Sequence, residues 1–308
     1  MATTSAPATL TETTTHQHRS MWMDVWSQYR KHKGALIGMG ILLFFVLAVL
    51  LGPYIWTVDS QHVDPLVANQ APTLAHPLGT DNLGRDLLAS MLEGGRISLA
   101  VGFTAMLISL TIGVLIGLIA GYFPRMDGPL MRLTDMFFAL PILPLLLVIL
   151  MLFREPLRTA FGPETGIFLL MVTVIGVTSW MQTARVVRGE VLSVKQQEFV
   201  IAAVSIGTRQ HRIIGRHIFP NVLSPVMVAA ALGVASAILT ESALSFLGLG
   251  FPPDFPTWGR LLFDGKDFLQ LTPTRVIWPG LAISLTVLSV NFIGDGLRDA
   301  LDPRLRGR

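Results

Sequence analysis

Residues 198–221 read EFVIAAVSIGTRQHRIIGRHIFPN. On a helix, Arg209, Arg212 and Arg216 fall at i, i+3 and i+7 and share one face. Three guanidiniums on one face can hold phosphate oxygens, so an interfacial helix lying over anionic lipid is one chemistry open to this stretch. Protein docking is the other. Ala202 and Ala203 offer a small surface for close approach, and Gly207 allows a turn between two short helical halves. Pro220 stands where the second half should end, just before the next apolar run. Other reactive groups are sparse. Glu241 sits in an apolar run, where an acid needs a partner or water; it either lines a pathway or stabilises a helix turn near the outer face, and the structural role is the reading favoured. His16 and His18 lie in a polar tail without companion ligands, so no metal site is expected there. His62 and His76 read as loop residues, and His211 and His217 as neighbours of headgroups or of a docked protein. No G-x-x-x-x-G-K-[ST], H-E-x-x-H or G-x-S-x-G occurs, which leaves no P-loop for ATP and no hydrolase signature. The absence of cysteine excludes disulfides and thiolate chemistry.

The elements that must position this stretch are hydrophobic. Of 308 residues, 51% are hydrophobic and 14% charged, against about 25% charged in a typical soluble domain. Crossing a bilayer core takes roughly 20 apolar residues. Six segments qualify, at 35–56, 98–122, 134–153, 167–187, 222–245 and 277–296. The third contains Asp135, Pro141 and Pro144, which a bundle tolerates when neighbours satisfy the freed carbonyls. Long alternating strands are absent, which argues against a β-barrel. The fold class expected is therefore an all-α membrane protein with six transmembrane helices. Six spans put both termini on one side, and that side carries more than twice as many lysines and arginines as the other. The positive-inside rule places it in the cytoplasm, and residues 198–221 with it.

The chain divides into a polar, Ser/Thr-rich tail at 1–20, expected to be disordered. A first span with an external segment follows at 21–97, then a core transmembrane domain at 98–300 and a basic tail at 301–308. The external segments 57–97 and 246–276 should form an outer platform, either for a docked protein or as a plain cap. Gly113, Gly117 and Gly121 recur every four residues on one face of the second span, which reads as close helix packing, inside the bundle or at a subunit interface. Local ion pairs are expected between Arg132 and Asp135 and between Asp295 and Arg298. A salt-linked helical turn is expected at Asp81 and Arg85. Trp258 is expected to anchor at the membrane interface.

The spacing of Glu198, Ala202-Ala203, Gly207 and Pro220-Asn221 resembles the EAA loop of binding-protein-dependent ABC importer permeases. The glutamate is displaced, as EFVIAA, and the ending RHIFPN departs from the general pattern. Both variants resemble the peptide and nickel branch. HPLGTDNLGRDLLASMLEGGRISLAVG over 76–102, AGYFPRMDGPLMRLTDMFFALP over 120–141 and LSFLGLGFPPDFPTWGRLL over 244–262 are similar to that branch, in order. So is the terminal PGLAISLTVLSVNFIGDGLRDALDPRLRGR, with a looser match at WSQYRKHKGALIG over 26–38. The best likeness is to the C-type subunit of dipeptide and oligopeptide importers. The resemblance implies a type I ABC importer permease fold whose 198–221 stretch, with Arg212 among its residues, is a cytoplasmic coupling helix. It implies a heterodimer with a B-type sister permease, two cytoplasmic ATPase subunits and an external substrate-binding protein, all at the lipid bilayer and without nucleic acid. It implies no cofactor in this chain, with ATP and magnesium on the ATPase partners. Nickel chelates or glycosides remain alternative cargoes, and an ion-coupled transporter or a non-transporting scaffold remain alternative classes.

Overall fold

The computed structural model describes residues 21–301. The tail 1–20, His16 and His18 within it, and most of the tail 301–308 lie outside the described residues. Helix α1 (Met21–Tyr29) leads into α2 (Lys33–Ile55), where the His32 ring accepts the Ala35 N–H at 3.0 Å and caps the helix start. Then follow α3 (Leu87–Tyr122), α4 (Pro124–Ala139), α5 (Ile142–Phe161) and α6 (Pro163–Lys195). Two short helices, α7 (Glu198–Ser205) and α8 (Gln210–Ile213), precede α9 (Phe219–Phe246), α10 (Trp258–Gly265) and α11 (Thr274–Leu301). Among the described residues, five stretches are long and apolar enough to cross a membrane, namely α2, α3, α6, α11 and the run Gln210–Phe246. A sixth is supplied if α4 and α5 count as one broken span.

The third span differs from the expected continuous helix at 134–153. Helices α4 and α5 meet at 84°. Leu140, held by the following proline, is extended at φ −76°, ψ 135°, and Pro141 at φ −68°, ψ 101° starts the next helix. The pair Leu140-Pro141 thus breaks the span instead of kinking it.

The most extensive packing joins α3 to α6. Gly113, Gly117 and Gly121 form that contact from within the chain. A Cβ on them would lie 2.8 Å from Trp180 O, 2.7 Å from Ala184 O and 3.0 Å from Arg188 O. The three carbonyls repeat every four residues, as the glycines do, so the backbones meet along a seam where side chains do not fit. Helix α1 packs through Val25 and Tyr29 against Leu297 and Ala300 of α11, which brings the start and end of the described chain to one end of the bundle. That end also carries 196–218 and is called the loop end. The opposite end, built from 57–86 and 247–273, is the cap end.

Polar groups at the cap end are bonded across elements. Glu241 is fully buried and accepts from Ser245 Oγ at 2.7 Å and Ser98 Oγ at 3.2 Å. Ser98 Oγ in turn accepts the Trp258 N–H. Trp258 is 1% exposed, donates Nε1–H to Met91 O at 3.0 Å and packs edge-on to Phe45, so it is core and not the interfacial anchor expected. Asp86 caps α3 through Ala89 N–H at 2.7 Å, accepts from Trp56 Nε1, and holds the His76 ring at 2.8 Å. His76 is thereby tied down and is not a free loop residue. Asp81 and Arg85 do pair, at 2.6 Å, but in a loop. The Asp81 carboxylate also accepts the Leu83 and Arg85 N–H groups, an Asx-type turn in place of the expected helical one.

Candidate functional site

Two features at the loop end are candidates: the 198–221 hairpin of short helices and a cleft beside it. Helix α7 closes with a Schellman motif. Gly207, at φ +76°, donates to Val204 O at 3.0 Å, and Thr208 donates to Ala203 O at 3.1 Å. Nothing lies within 4 Å of a Cβ built on Gly207, so the position needs glycine for its left-handed backbone and not for room. After α8 the chain does not end at Pro220. A π turn spans Ile214–Ile218, with Phe219 donating to Ile214 O, and it runs straight into α9 with Pro220 in the first turn. The wider turn absorbs the proline, which has no N–H to give. Asn221 braces it by donating Nδ2–H to His217 O at 2.6 Å.

The hairpin is clamped to the bundle by its apolar underside. Val200, Ile213 and Ile218 are buried against Tyr122, Val187, Val191 and Val222, which joins the hairpin to α3, α6 and α9. Ala203 is 6% exposed and belongs to this underside, whereas Ala202 is exposed. Adjacent residues on a helix point about 100° apart, so a shared outward face for the two alanines is not formed. The outer face instead carries Ile201, Val204 and Ile206, the last 82% exposed, which the sequence reading did not single out. Glu198 and Arg209, Arg212 and Arg216 are exposed around it. His211 is exposed, and His217 lies beside the Phe199 ring.

Flanking ion pairs hold α4 onto α6. Arg188 donates Nη2–H to Asp127 at 2.7 Å, and Arg185 reaches Asp135 while stacking over Phe138 at 4.1 Å. Asp135 therefore pairs across to α6 and not locally with Arg132. The expected Asp295–Arg298 pair is not among the ion pairs of the described residues either, and both side chains are exposed. Arg298 looks into the cleft. This cleft, about 1270 Å³ in volume, is walled by α3, the α4–α5 break, α6, α9 and α11. Its polar lining within the uncharged stretches includes Ser179, Gln182, Ser224, Ser236 and Asn291. Its charged groups, Glu190 and Arg298, are both at the loop end.

Two family models match this sequence. One, described as binding-protein-dependent transport system inner membrane component, covers residues 113–307. The other, the N-terminal TM domain of oligopeptide transport permease C, covers 20–72. The chain belongs to the binding-protein-dependent transport system inner membrane component family. Within it, the chain is 41% identical to the oligopeptide transport system permease protein OppC of Haemophilus influenzae, over 94% of this chain and 90% of that one. It is 38% identical to the dipeptide transport system permease protein DppC of Alkalihalophilus pseudofirmus, over 93% and 91%. A solved chain of the MetNI methionine ABC transporter in an inward-facing conformation superposes with a TM-score of 0.54 at 16% identity, covering 68% of this chain and 94% of that one. That likeness extends to the fold alone, and it makes the bundle a type I ABC importer permease fold. The chain is a multi-span membrane protein of the inner-membrane component type, and its relatives are named as transport system permease proteins.

Proposed function

We propose that this chain is one half of the permease of an ATP-driven importer for dipeptides or short oligopeptides, working beside a B-type sister permease. The observation that carries the reading is the outward apolar rim of Ile201 and Val204 on α7 and Ile206 at its C-terminal cap, in a chain whose relatives are named for dipeptide and oligopeptide transport. An exposed apolar patch rimmed by charge marks a protein contact. The occupant proposed is an ATPase subunit that holds ATP and magnesium. A second ATPase docks on the sister permease, and an external binding protein delivers cargo at the cap end. The excess of basic residues near the loop end supports a cytoplasmic position for that end and for both termini. Family membership favours this reading over an ion-coupled transporter or a scaffold.

In this mechanism the permease supplies shape, not catalysis. Movement of the docked ATPase acts on α7. Because Val200, Ile213 and Ile218 are packed into α3, α6 and α9, α7 cannot shift without carrying those helices. Rocking of the two permease halves then exposes the cleft to either side.

The test is peptide-stimulated ATP hydrolysis and uptake by the reconstituted complex carrying Ile206→Asp. A charge placed in the docking rim, on a side chain that is 82% exposed, should leave the fold intact. Stimulated hydrolysis and uptake should fall at least about ten-fold, since a desolvated unpaired charge costs more than the 1.4 kcal/mol this represents. Uptake at the wild-type rate would remove α7 from the engine contact.

A further inference from the structure

The cleft holds hydrogen-bonding capacity that the chain does not use. Among the described residues, the side chains of Gln182, Asn291, Ser224 and Ser236 make no hydrogen bond, although all four line the cleft. Gln182 and Ser236 are exposed in an isolated chain, and Asn291 and Ser224 are partly so. Serine in a helix commonly returns its proton to a carbonyl one turn back, as Ser179 does to Ile175 O at 2.7 Å. Ser224 and Ser236 do not. Gln182 lies about 20 Å along α6 from Lys195 at 1.5 Å per residue. It sits on the apolar side of Arg185, in a stretch without charge from Thr165 to Ala184. An amide left against lipid tails at that depth would have no partner, so this face must meet water, protein or a passing solute.

The charges near these groups are neutralised or displaced. Arg185, the next charged residue, is bound to Asp135 and stacked on Phe138. Glu190 and Arg298, opposite in sign, stand at the loop end of the cleft. What remains is a set of neutral amides and hydroxyls, each able both to donate and to accept, spaced among apolar side chains such as Met106, Phe137 and Leu232. That chemistry fits the peptide main chain, which presents one N–H and one C=O per residue whatever its side chains are. A charged wall would sort peptides by side-chain charge. A wholly apolar one would leave their amides unsatisfied.

We propose that Gln182 is a specificity-determining residue of the translocation pathway. With Asn291, Ser224 and Ser236 it holds a passing short peptide by its main-chain amides and so makes passage indifferent to side-chain charge. The proposal rests on the peptide-import reading. Its occupant is a short peptide of any charge.

The complete complex, with sister permease, ATPases and binding protein, is reconstituted in vesicles and given alanyl-lysine, alanyl-glutamine and alanyl-glutamate. Each peptide is supplied at a concentration that saturates the binding protein. The wild type should move all three at similar rates. Gln182→Glu should slow alanyl-glutamate about ten-fold relative to alanyl-lysine, because like charges at close range in a poorly screened cleft repel by more than that factor requires. Gln182→Lys should invert the preference, and Gln182→Ala should slow all three alike. Ser236→Asp, on the facing helix, repeats the first test if the position 182 variants do not assemble. Uniform effects on the three peptides from every charged variant overturn the proposal. So does reduced co-purification of the sister permease with selectivity unchanged, since the cleft is then filled by that subunit. A wild-type complex that hydrolyses ATP but imports none of the peptides defeats the peptide reading itself, before any substitution is made.

Discussion

The cap end and the cleft are opposite in how they treat polar groups. At the cap end, Glu241, Ser98, Ser245 and the Trp258 backbone satisfy one another. Arg275, 3% exposed, donates to Asn69 at 3.2 Å and to Asn82 at 2.8 Å and lies over the Phe268 ring at 4.2 Å. Among the described residues, only Thr272 Oγ1 and Trp278 Nε1 are buried at that end without a partner. In the cleft, the side chains of Gln182, Ser224, Ser236 and Asn291 make no hydrogen bond among the described residues. Buried polar groups must be bonded and those of the cap largely are, whereas the cleft groups are exposed or partly so and remain open to water, protein or solute. The chain folds its own lid and leaves its inner wall for something else to complete.

The comparison is easiest to break at Glu241. Glu241→Leu leaves the Ser98 and Ser245 hydroxyls buried with their acceptor gone. Each stranded group costs about 1–3 kcal/mol, so a loss of about 2–4 kcal/mol is expected. Thermal unfolding of the purified subunit in detergent measures it. A melting temperature equal to wild type would mean that the bonded network does not stabilise the cap.

A smaller effect is expected along the α3–α6 seam, where the comparison can be made with one chemical change at two glycines. Gly117→Ala puts a methyl 2.7 Å from Ala184 O and from Val187 Cβ, and backbone cannot move aside cheaply. It should cost about 1–3 kcal/mol. Gly128→Ala in α4 meets nothing within 4 Å and should be neutral or stabilise by about 0.5–1 kcal/mol, as alanine is the better helix former. Equal melting temperatures for the two variants would remove the seam as the reason for the glycine spacing.

These two regions also mark how far the sequence could be read. The spans were legible because hydropathy over twenty residues is a local property, and Gly113, Gly117 and Gly121 announced a close contact by period alone. Their partner, the carbonyl row of Trp180, Ala184 and Arg188, was not visible, because periodicity names a face and not what covers it. Asp135 shows the same limit. Arg132 was the nearer candidate in sequence, but Arg185, fifty residues away, is the one that reaches it. Leu140-Pro141 could be seen as a weak point, yet whether a proline kinks a span or breaks it depends on the packing of α4 and α5, which no local pattern encodes. Trp258 looked like an anchor because tryptophan is common at interfaces, and its burial depends on Met91 and Phe45 from distant helices. Ala203 was different. That it and Ala202 point apart follows from the 100° step between neighbours, while which of the two turns inward is set by the packing of Val200 and Ile213 beneath the hairpin.

The smallest predicted effect on stability is the sharpest test of the comparison. Gln182→Ala removes an exposed amide that makes no hydrogen bond among the described residues, so the stability of the isolated subunit, read from its melting temperature, should stay within the change of about 0.5 kcal/mol typical of surface substitutions. The same variant should slow uptake in the assembled complex. A residue that serves the fold cannot show that pairing of results, since any loss of function would travel with a loss of stability. If Gln182→Ala instead melts well below wild type, its amide has a structural partner after all, and the cleft wall belongs with the cap as part of the finished half of the molecule.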